Sequence, residues 1–242
     1  MKLRVGVVDG GFERVPPAAL HAAAQFASGD FDGAESDGAE SDGVVRCEAP
    51  HGRALPHGEC VAALVLDAAP AACLLDARVA TATRPATPRL VAAAIDWCVA
   101  EGARVVNLSL GLADDRRVLR EACERAVGQG VVLVAAAPAR GAPVYPARYP
   151  GVLAVSGDAR CAPGQWSRLD PASVAGAAWG TCPDAPGGAP GGASMAAARF
   201  TGIVAHHLMQ HPDAGLRGLV DHLAAFATWQ GRENRRIAET DS

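Results

Sequence analysis

Residues 105–157 read VVNLSLGLADDRRVLREACERAVGQGVVLVAAAPARGAPVYPARYPGVLAVSG. Three elements follow from this stretch. The segment ARVVNLSLG at 103–111 opens on a β-branched apolar run and ends in glycine, the pattern of a buried strand. Residues 117–128 place Leu119, Ala122, Cys123 and Ala126 on one helical face and stop at Gly128 and Gly130. The following run, VVLVAAAP, is apolar almost throughout over 131–137, as a parallel strand covered on both faces must be, so the centre of a sheet is expected there. Strand, helix and strand in this order make a parallel βαβ unit and predict an α/β fold.

Outward from this unit the alternation continues. Residues 89–101 carry Leu90, Ala93, Ala94, Trp97 and Cys98 at helical spacing before the stop signal Gly102. Near the start, LRVGVVD at 3–9 reads as a short buried strand ending in an acid, and Gly10-Gly11 permits a tight turn. Asp9 is therefore expected at a strand's carboxyl end. Towards the other end, PDAPGGAPGG at 183–192 lacks the donors and carries the backbone entropy that keep a segment irregular. It leads into ASMAAARFTGIVAHHLMQH, a helix-forming run with Ser194 in or just before its first turn. A second helix over 214–227 and a polar tail at 229–242 complete the chain. Residues 27–46 hold the repeat GAESD at 33–37 and 38–42 and read as a solvated acidic loop. A calcium loop beginning at Asp30-Phe31-Asp32-Gly33 lacks the matching glutamate. The whole of 1–242 fits one domain.

Composition narrows the partners. Half of the residues are apolar and a fifth are charged, a globular balance. The net charge of -4 arises from 22 basic and 26 acidic residues with no Lys/Arg block to track phosphates, so no nucleic-acid partner is expected. Apolar stretches are broken well short of the ~20 residues a membrane helix needs, and no membrane partner is expected. The opening MKLRVGVVDGG shows no apolar leader ending in a cleavage site, which predicts a soluble, cytoplasmic protein. Seven cysteines without a C-x-x-C pair predict buried, reduced thiols and no zinc site.

In open α/β sheets, reactive groups gather beyond the carboxyl ends of the strands. Three segments resemble the motifs of the subtilisin-like serine protease (subtilase, peptidase S8) family, in that family's order of Asp, His and Ser. VGVVDGG at 5–11 resembles its Asp motif, PHGECVAALV at 56–65 its His motif, and GASMAAARFTGIVA at 192–205 its Ser motif. VVNLSLG at 105–111 and VVLVAAA with YPARYPGVLAVSG within 131–157 extend the resemblance over nearly the whole chain. It implies a three-layer sandwich with a mostly parallel sheet and a peptide or protein substrate; no cofactor is expected, and the short stretch from 9 to 57, without most of the loops that bind calcium in relatives, predicts no structural metal. It also implies a triad of Asp9, His57 and Ser194. A serine hydroxyl is weakly nucleophilic at neutral pH, so an imidazole must take its proton, and a fixed carboxylate must orient that imidazole and stabilise its charge. Ser194 at a helix start would offer its own N–H and the helix dipole to an oxyanion. Ser109, Leu110 and Gly111 align with the strand that binds substrate as an added β-strand, and Ala137 is assigned to the same groove. The bond Tyr145-Pro146 falls where relatives often carry a cis proline. His206, His207, His211 and His222 read as structural.

The chain departs from the family at three places. Pro138-Ala139 stands where relatives have Gly-Asn, so the oxyanion region keeps Ser194 but lacks the asparagine donor at Ala139. Loss of that donor in this family costs about 10² to 10³ in turnover. Cys60 stands where the motif's second His is usual, and no pro-domain is expected before Asp9. Arg140, next to Ala139, lies on the loop that walls the family's first specificity pocket and is expected to pair with an acidic substrate residue. These features predict a slow, selective endopeptidase that matures a specific precursor peptide. The alternative is a catalytically impaired homologue that binds peptide or supports a second protein subunit.

Overall fold

The computed structural model describes residues 2–28, 43–47, 52–172 and 174–231. Its strands are β1 (Arg4–Asp9), β2 (Leu20–Ser28), β3 (Val44–Cys47), β4 (Cys73–Arg78), β5 (Val105–Leu108), β6 (Val132–Ala136), β7 (Val152–Gly157), β8 (Trp166–Arg168), β9 (Trp179–Thr181) and β10 (Trp229–Gln230). Its helices are α1 (Pro56–Ala68), α2 (Pro88–Ala100), α3 (Arg117–Gly128), α4 (Ala193–Gln210) and α5 (Leu216–Ala225). The strands form one sheet in the order β10-β8-β9-β7-β6-β5-β1-β4-β2-β3. All neighbouring pairs are parallel except β2 with β3 and β8 with β9.

Alternation along the strands builds two cores, one on each face. Val5 and Val7 of β1 pack with Val61 and Val65 of α1, with Phe200 and Val204 of α4, and with Leu219 of α5. Val8 points to the other face, with Ile95 and Trp97 of α2 and Leu119 and Cys123 of α3. A sheet with helices on both faces is the predicted three-layer α/β architecture, and β5 and β6 lie at its middle as the apolar run at 131–137 requires.

Two boundaries differ from the sequence reading. The acidic loop predicted over 27–46 is narrower, because β2 runs to Ser28 and β3 starts at Val44, pairing Phe26 with Arg46 and Ser28 with Val44. Phe26 anchors this hairpin by packing edge-on against Trp97, which an acidic-repeat reading overlooks. The GAESD repeats and the Asp30–Gly33 segment lie outside the described residues. The polar tail begins later than residue 229, since Trp229 and Gln230 pair in parallel with Ser167 and Arg168. The Arg160 guanidinium, 5.5 Å from the Trp229 ring, donates to the Gly231 carbonyl and helps hold this strand.

Candidate active site

β1, β5 and β6 end at one edge of the sheet, and each predicted site residue lies at or just beyond that edge. Asp9 is the last residue of β1 and is 8% exposed. One of its carboxylate oxygens accepts the Gly10 amide at 2.7 Å, which fixes its rotamer. His57 sits in the first turn of α1, after Pro56 at the first helical position, where a missing N–H costs nothing. The His57 Nδ1 lies 2.9 Å from both Oδ1 and Oδ2 of Asp9. This contact raises the imidazole pKa above its usual value, first through the hydrogen bond and also through the carboxylate charge, against partial burial. The ring remains 42% exposed and open to a substrate.

A close helix approach makes this contact. A Cβ on Gly58 would collide with the Gly11 carbonyl, so glycine lets α1 start against the Asp9 turn. The Leu55 amide donates to the Gly10 carbonyl at 3.0 Å, and Glu59 accepts the amides of Glu13 and Arg14 at 2.8 and 3.2 Å. Beneath the turn, Arg78 donates to Asp76 at 2.9 Å and to the Phe12 carbonyl at 3.3 Å. Burial pushes the Asp76 carboxyl up to about 6, while Arg78 and the Phe12 amide pull against that rise.

Ser194 occupies the first turn of α4, after Gly192 with φ 149°. The α1 and α4 helices both start at the carboxyl edge and run back across the sheet. They meet where a Cβ on Gly202 would stand 2.7 Å from the Val65 carbonyl, and His57 and Ser194 each lie eight residues before that contact. The Ser194 hydroxyl donates to the Ser109 carbonyl at 3.1 Å, and the Ser109 hydroxyl donates to the Ser194 carbonyl at 3.2 Å. No hydrogen bond joins Ser194 to His57 among the described residues. Asn107 and Thr201 support the serine pair: Asn107 Nδ2 donates to Ser109 Oγ at 2.8 Å, and Thr201 Oγ1 donates to Asn107 Oδ1 at 2.9 Å. Sequence reasoning missed this network, although the placement of Asn107 two residues before Ser109 on one strand face was the available signal.

Beyond Ser109 the main chain leaves the ladder. Neither Leu110 nor Gly111 makes a backbone hydrogen bond among the described residues, and the chain is fixed again where Leu112 and Tyr145 exchange two bonds of 2.8 Å. The free stretch can pair with an added extended strand. Opposite it, Ala137 is buried and its amide is taken by the Val155 carbonyl at 2.8 Å. Ala139 and Arg140 are exposed. Tyr145-Pro146 is cis. None of the seven cysteines is in a disulfide, and burial pushes the Cys123 thiol up to about 12. Among the described residues no group of three or more His, Cys, Asp or Glu is arranged to hold a metal, and no helix is long and apolar enough to cross a membrane.

Comparison with known proteins places this geometry. The model of the Subtilase family matches residues 2–225. Subtilisin E of Bacillus subtilis (strain 168) is 30% identical over 178 residues, which cover 69% of this chain and 47% of that protein. Subtilisin of Bacillus pumilus is likewise 30% identical over 178 residues, covering 69% of this chain and 65% of the relative. The chain thus spans about half the length of subtilisin E. Among solved structures, fervidolysin from Fervidobacterium pennivorans superposes with a TM-score of 0.65 at 24% identity, over 88% of this chain and 37% of its own. Sphericase gives 0.62 at 17% identity, over 93% and 84%. With these matches added to the motif order and the three-layer sheet, the chain belongs to the subtilase family.

Proposed function

We propose that this chain is a serine endopeptidase that cleaves peptide bonds through an acyl-enzyme, with Ser194 as nucleophile, His57 as general base and Asp9 as the carboxylate that orients it. The observation that carries this reading is the contact of His57 Nδ1 with Asp9 at 2.9 Å, which leaves Nε2 as the free nitrogen of an exposed ring. Membership of the family supports the reaction class. In the first step the Ser194 oxygen bonds to the substrate carbonyl carbon while its proton passes to Nε2. The same proton then leaves on the amine of the departing peptide, and water repeats the sequence to release the acyl group. The Ser194 hydroxyl must turn from the Ser109 carbonyl to the imidazole as substrate arrives, since such bonds tighten in the substrate complex. The substrate main chain would pair with Leu110 and Gly111, whose own backbone groups are free.

The absence of a side-chain amide donor at Ala139 supports slow turnover on a selected peptide, such as the maturation of one precursor in the cytoplasm, where broad proteolysis would be harmful. The same residue, with the resting bond from Ser194 to Ser109, favours a second reading: an impaired homologue that holds peptide or supports a partner subunit. A fluorophosphonate probe separates the two. Labelling at Ser194 that disappears in His57→Ala is the expected result. No labelling of the intact protein leaves the second reading.

A further inference from the structure

Arg78 of β4 stands beside Asp9 in the sheet. The two are register partners on neighbouring parallel strands, and the Val79 amide donates to the Asp9 carbonyl at 2.9 Å. The Arg78 side chain is buried, and its Nε donates to Asp76 Oδ2 at 2.9 Å. One terminal nitrogen donates to the Phe12 carbonyl at 3.3 Å. The other donates to the Gly52 carbonyl at 3.4 Å and lies 3.7 Å from Glu13 Oε1. Phe12 and Glu13 belong to the turn that follows Asp9, whereas Gly52 belongs to the segment that leads into His57. The Glu13 carboxylate closes a ring between them by accepting the Ala54 amide at 3.0 Å. Asp76 Oδ2 also accepts the Phe12 amide at 3.4 Å, so the turn is held by both its N–H and its C=O. A Cβ on Gly11 would collide with the Arg78 side chain, so the turn lies directly on it.

Asp9 is held in place by the ladder of β1, but His57 is not part of the sheet, and the start of α1 carries no side-chain cap. The distance between the two side chains therefore depends on how residues 10–14 are joined to residues 52–55. A guanidinium presents donors in a rigid planar fork, so it can bind a carboxylate and main-chain carbonyls in different directions at once. Charge-assisted bonds of this kind are short-ranged and directional, and burial strengthens them by keeping water from competing.

We propose that Arg78 is a positioning residue for the Asp9–His57 pair: its fork joins the turn after Asp9 to the segment before His57, and that join sets the 2.9 Å contact between carboxylate and imidazole. Arg78 touches neither the imidazole nor the place of a substrate, and acts through the two segments it holds. Its part in the reaction rests on the peptidase reading.

The test follows the His57 ring signals of the full chain by NMR as pH is varied. Two variants remove the fork while leaving the net local charge unchanged. Arg78→Lys keeps a cation beside Asp76, and Asp76→Leu combined with Arg78→Met removes both charges, so that no carboxylate is left buried alone. In the intact protein the hydrogen bond with Asp9 raises the His57 pKa above 6.5. With the join lost, that value should fall towards 6.5 in the folded variants. Ile95→Val lowers stability from the other face of the sheet without touching either segment, and His57 should keep its value there. A His57 value that is unchanged or raised in both Arg78 variants, or lowered as much in Ile95→Val, overturns the proposal. A second arm measures the rate at which a fluorophosphonate labels Ser194 at pH 8. It should fall by up to about 10²-fold in the Arg78 variants, the cost of a misplacement near 1 Å. Labelling of those variants at the intact rate overturns the proposal. No labelling of the intact protein removes the peptidase reading alone, and the NMR titration then decides whether Arg78 sets the contact.

Discussion

Ser194 and Ser109 are tied by a reciprocal pair of hydrogen bonds, each hydroxyl donating to the other residue's carbonyl, at 3.1 and 3.2 Å. The pair locks the first turn of α4 to the end of β5, so the position of Ser194, the proposed nucleophile, is set by the sheet and not only by the glycine-rich loop before it. Ser109→Ala removes one bond and leaves Asn107 Nδ2 without its acceptor in a fully buried site. An orphaned buried donor costs about 1–3 kcal/mol. At about 2–4 °C per kcal/mol for a chain of this size, calorimetry should show a clear fall in Tm. An unchanged Tm would mean that the Asn107–Ser109 bond contributes nothing.

The imidazole of His57 must be neutral to accept a proton, and its pKa is raised above 6.5 mainly by the hydrogen bond with Asp9. The acid limb of kcat/KM should therefore lie above pH 6.5. Asp9→Asn should shift that limb to lower pH and cut turnover by about 10⁴, because the imidazole loses both its tautomer control and its counter-charge. In folding, the sign is that of a raised base: the stabilising contribution is full below pH 6.5 and lost as pH rises through the folded value. An acid limb that stays in place in Asp9→Asn assigns the titration to another group.

Arg78 and Asp76 predict a second dependence of the same sign. Arg78→Met leaves Asp76 buried without its cation, and breaking such a pair costs about 3–5 kcal/mol. The carboxyl already titrates at about 6 in the intact protein, because burial outweighs Arg78. Its raised value adds stability below about 3.8 that is lost as pH rises through about 6. Without Arg78 the value rises further, so the deficit of the variant measured by urea unfolding should be large at pH 8 and shrink towards pH 5. A deficit independent of pH would show that Asp76 is not what the substitution exposes.

The fold was legible in the sequence for a physical reason, whereas the Asp9–His57 contact was legible only through the resemblance of the motifs. Buried parallel strands read as apolar runs, as at 131–137, and a strand-end acid followed by Gly10-Gly11 announces a turn. What escaped depends on distant partners. The β2 strand is held by Phe26 against Trp97 and by ladder bonds to β4, neither of which local composition reveals. Likewise Arg140 was read alone, and Arg148 lines the same cavity only because the chain between Tyr145 and Tyr149 folds back beside it.

The four late histidines were read as structural, and three are stacked. His207 lies with its ring centroid 4.6 Å from that of His211 and 4.1 Å from that of His222, across the α4–α5 contact. Burial lowers the His207 pKa, and the neighbouring His222, His211 and His206 lower it further. A base with a depressed folded value stabilises fully above its unfolded pKa of about 6.5, and that contribution is lost as pH falls below it. Tm should drop between pH 7.5 and 5 more steeply in the wild type than in His207→Leu. Parallel Tm curves would dismiss the cluster as a source of acid sensitivity.

Ala139 offers the sharpest test of the proposed chemistry, since the resemblance of the motifs sets it at the position of the family's oxyanion asparagine. Asn107, the nearest asparagine in the network, has its Nδ2 committed to Ser109 and its Oδ1 to Thr201, and the Ala137 amide is taken by Val155. The Ala137 amide is therefore not free to replace the missing donor. Ala139→Asn should supply one about 3 Å from the oxyanion and raise kcat by up to about 10²-fold, with KM little changed, because that bond is made mainly in the transition state. Pro138 holds φ near its ring value where relatives have glycine, so the backbone can aim the new side chain elsewhere. In that event only Pro138→Gly combined with Ala139→Asn gives the gain. The measurement is kcat for the wild type and both variants on one activated ester. If neither exceeds the wild type while Ser194→Ala abolishes a real activity, another donor already serves the oxyanion and Ala139 is not the cause of slow turnover.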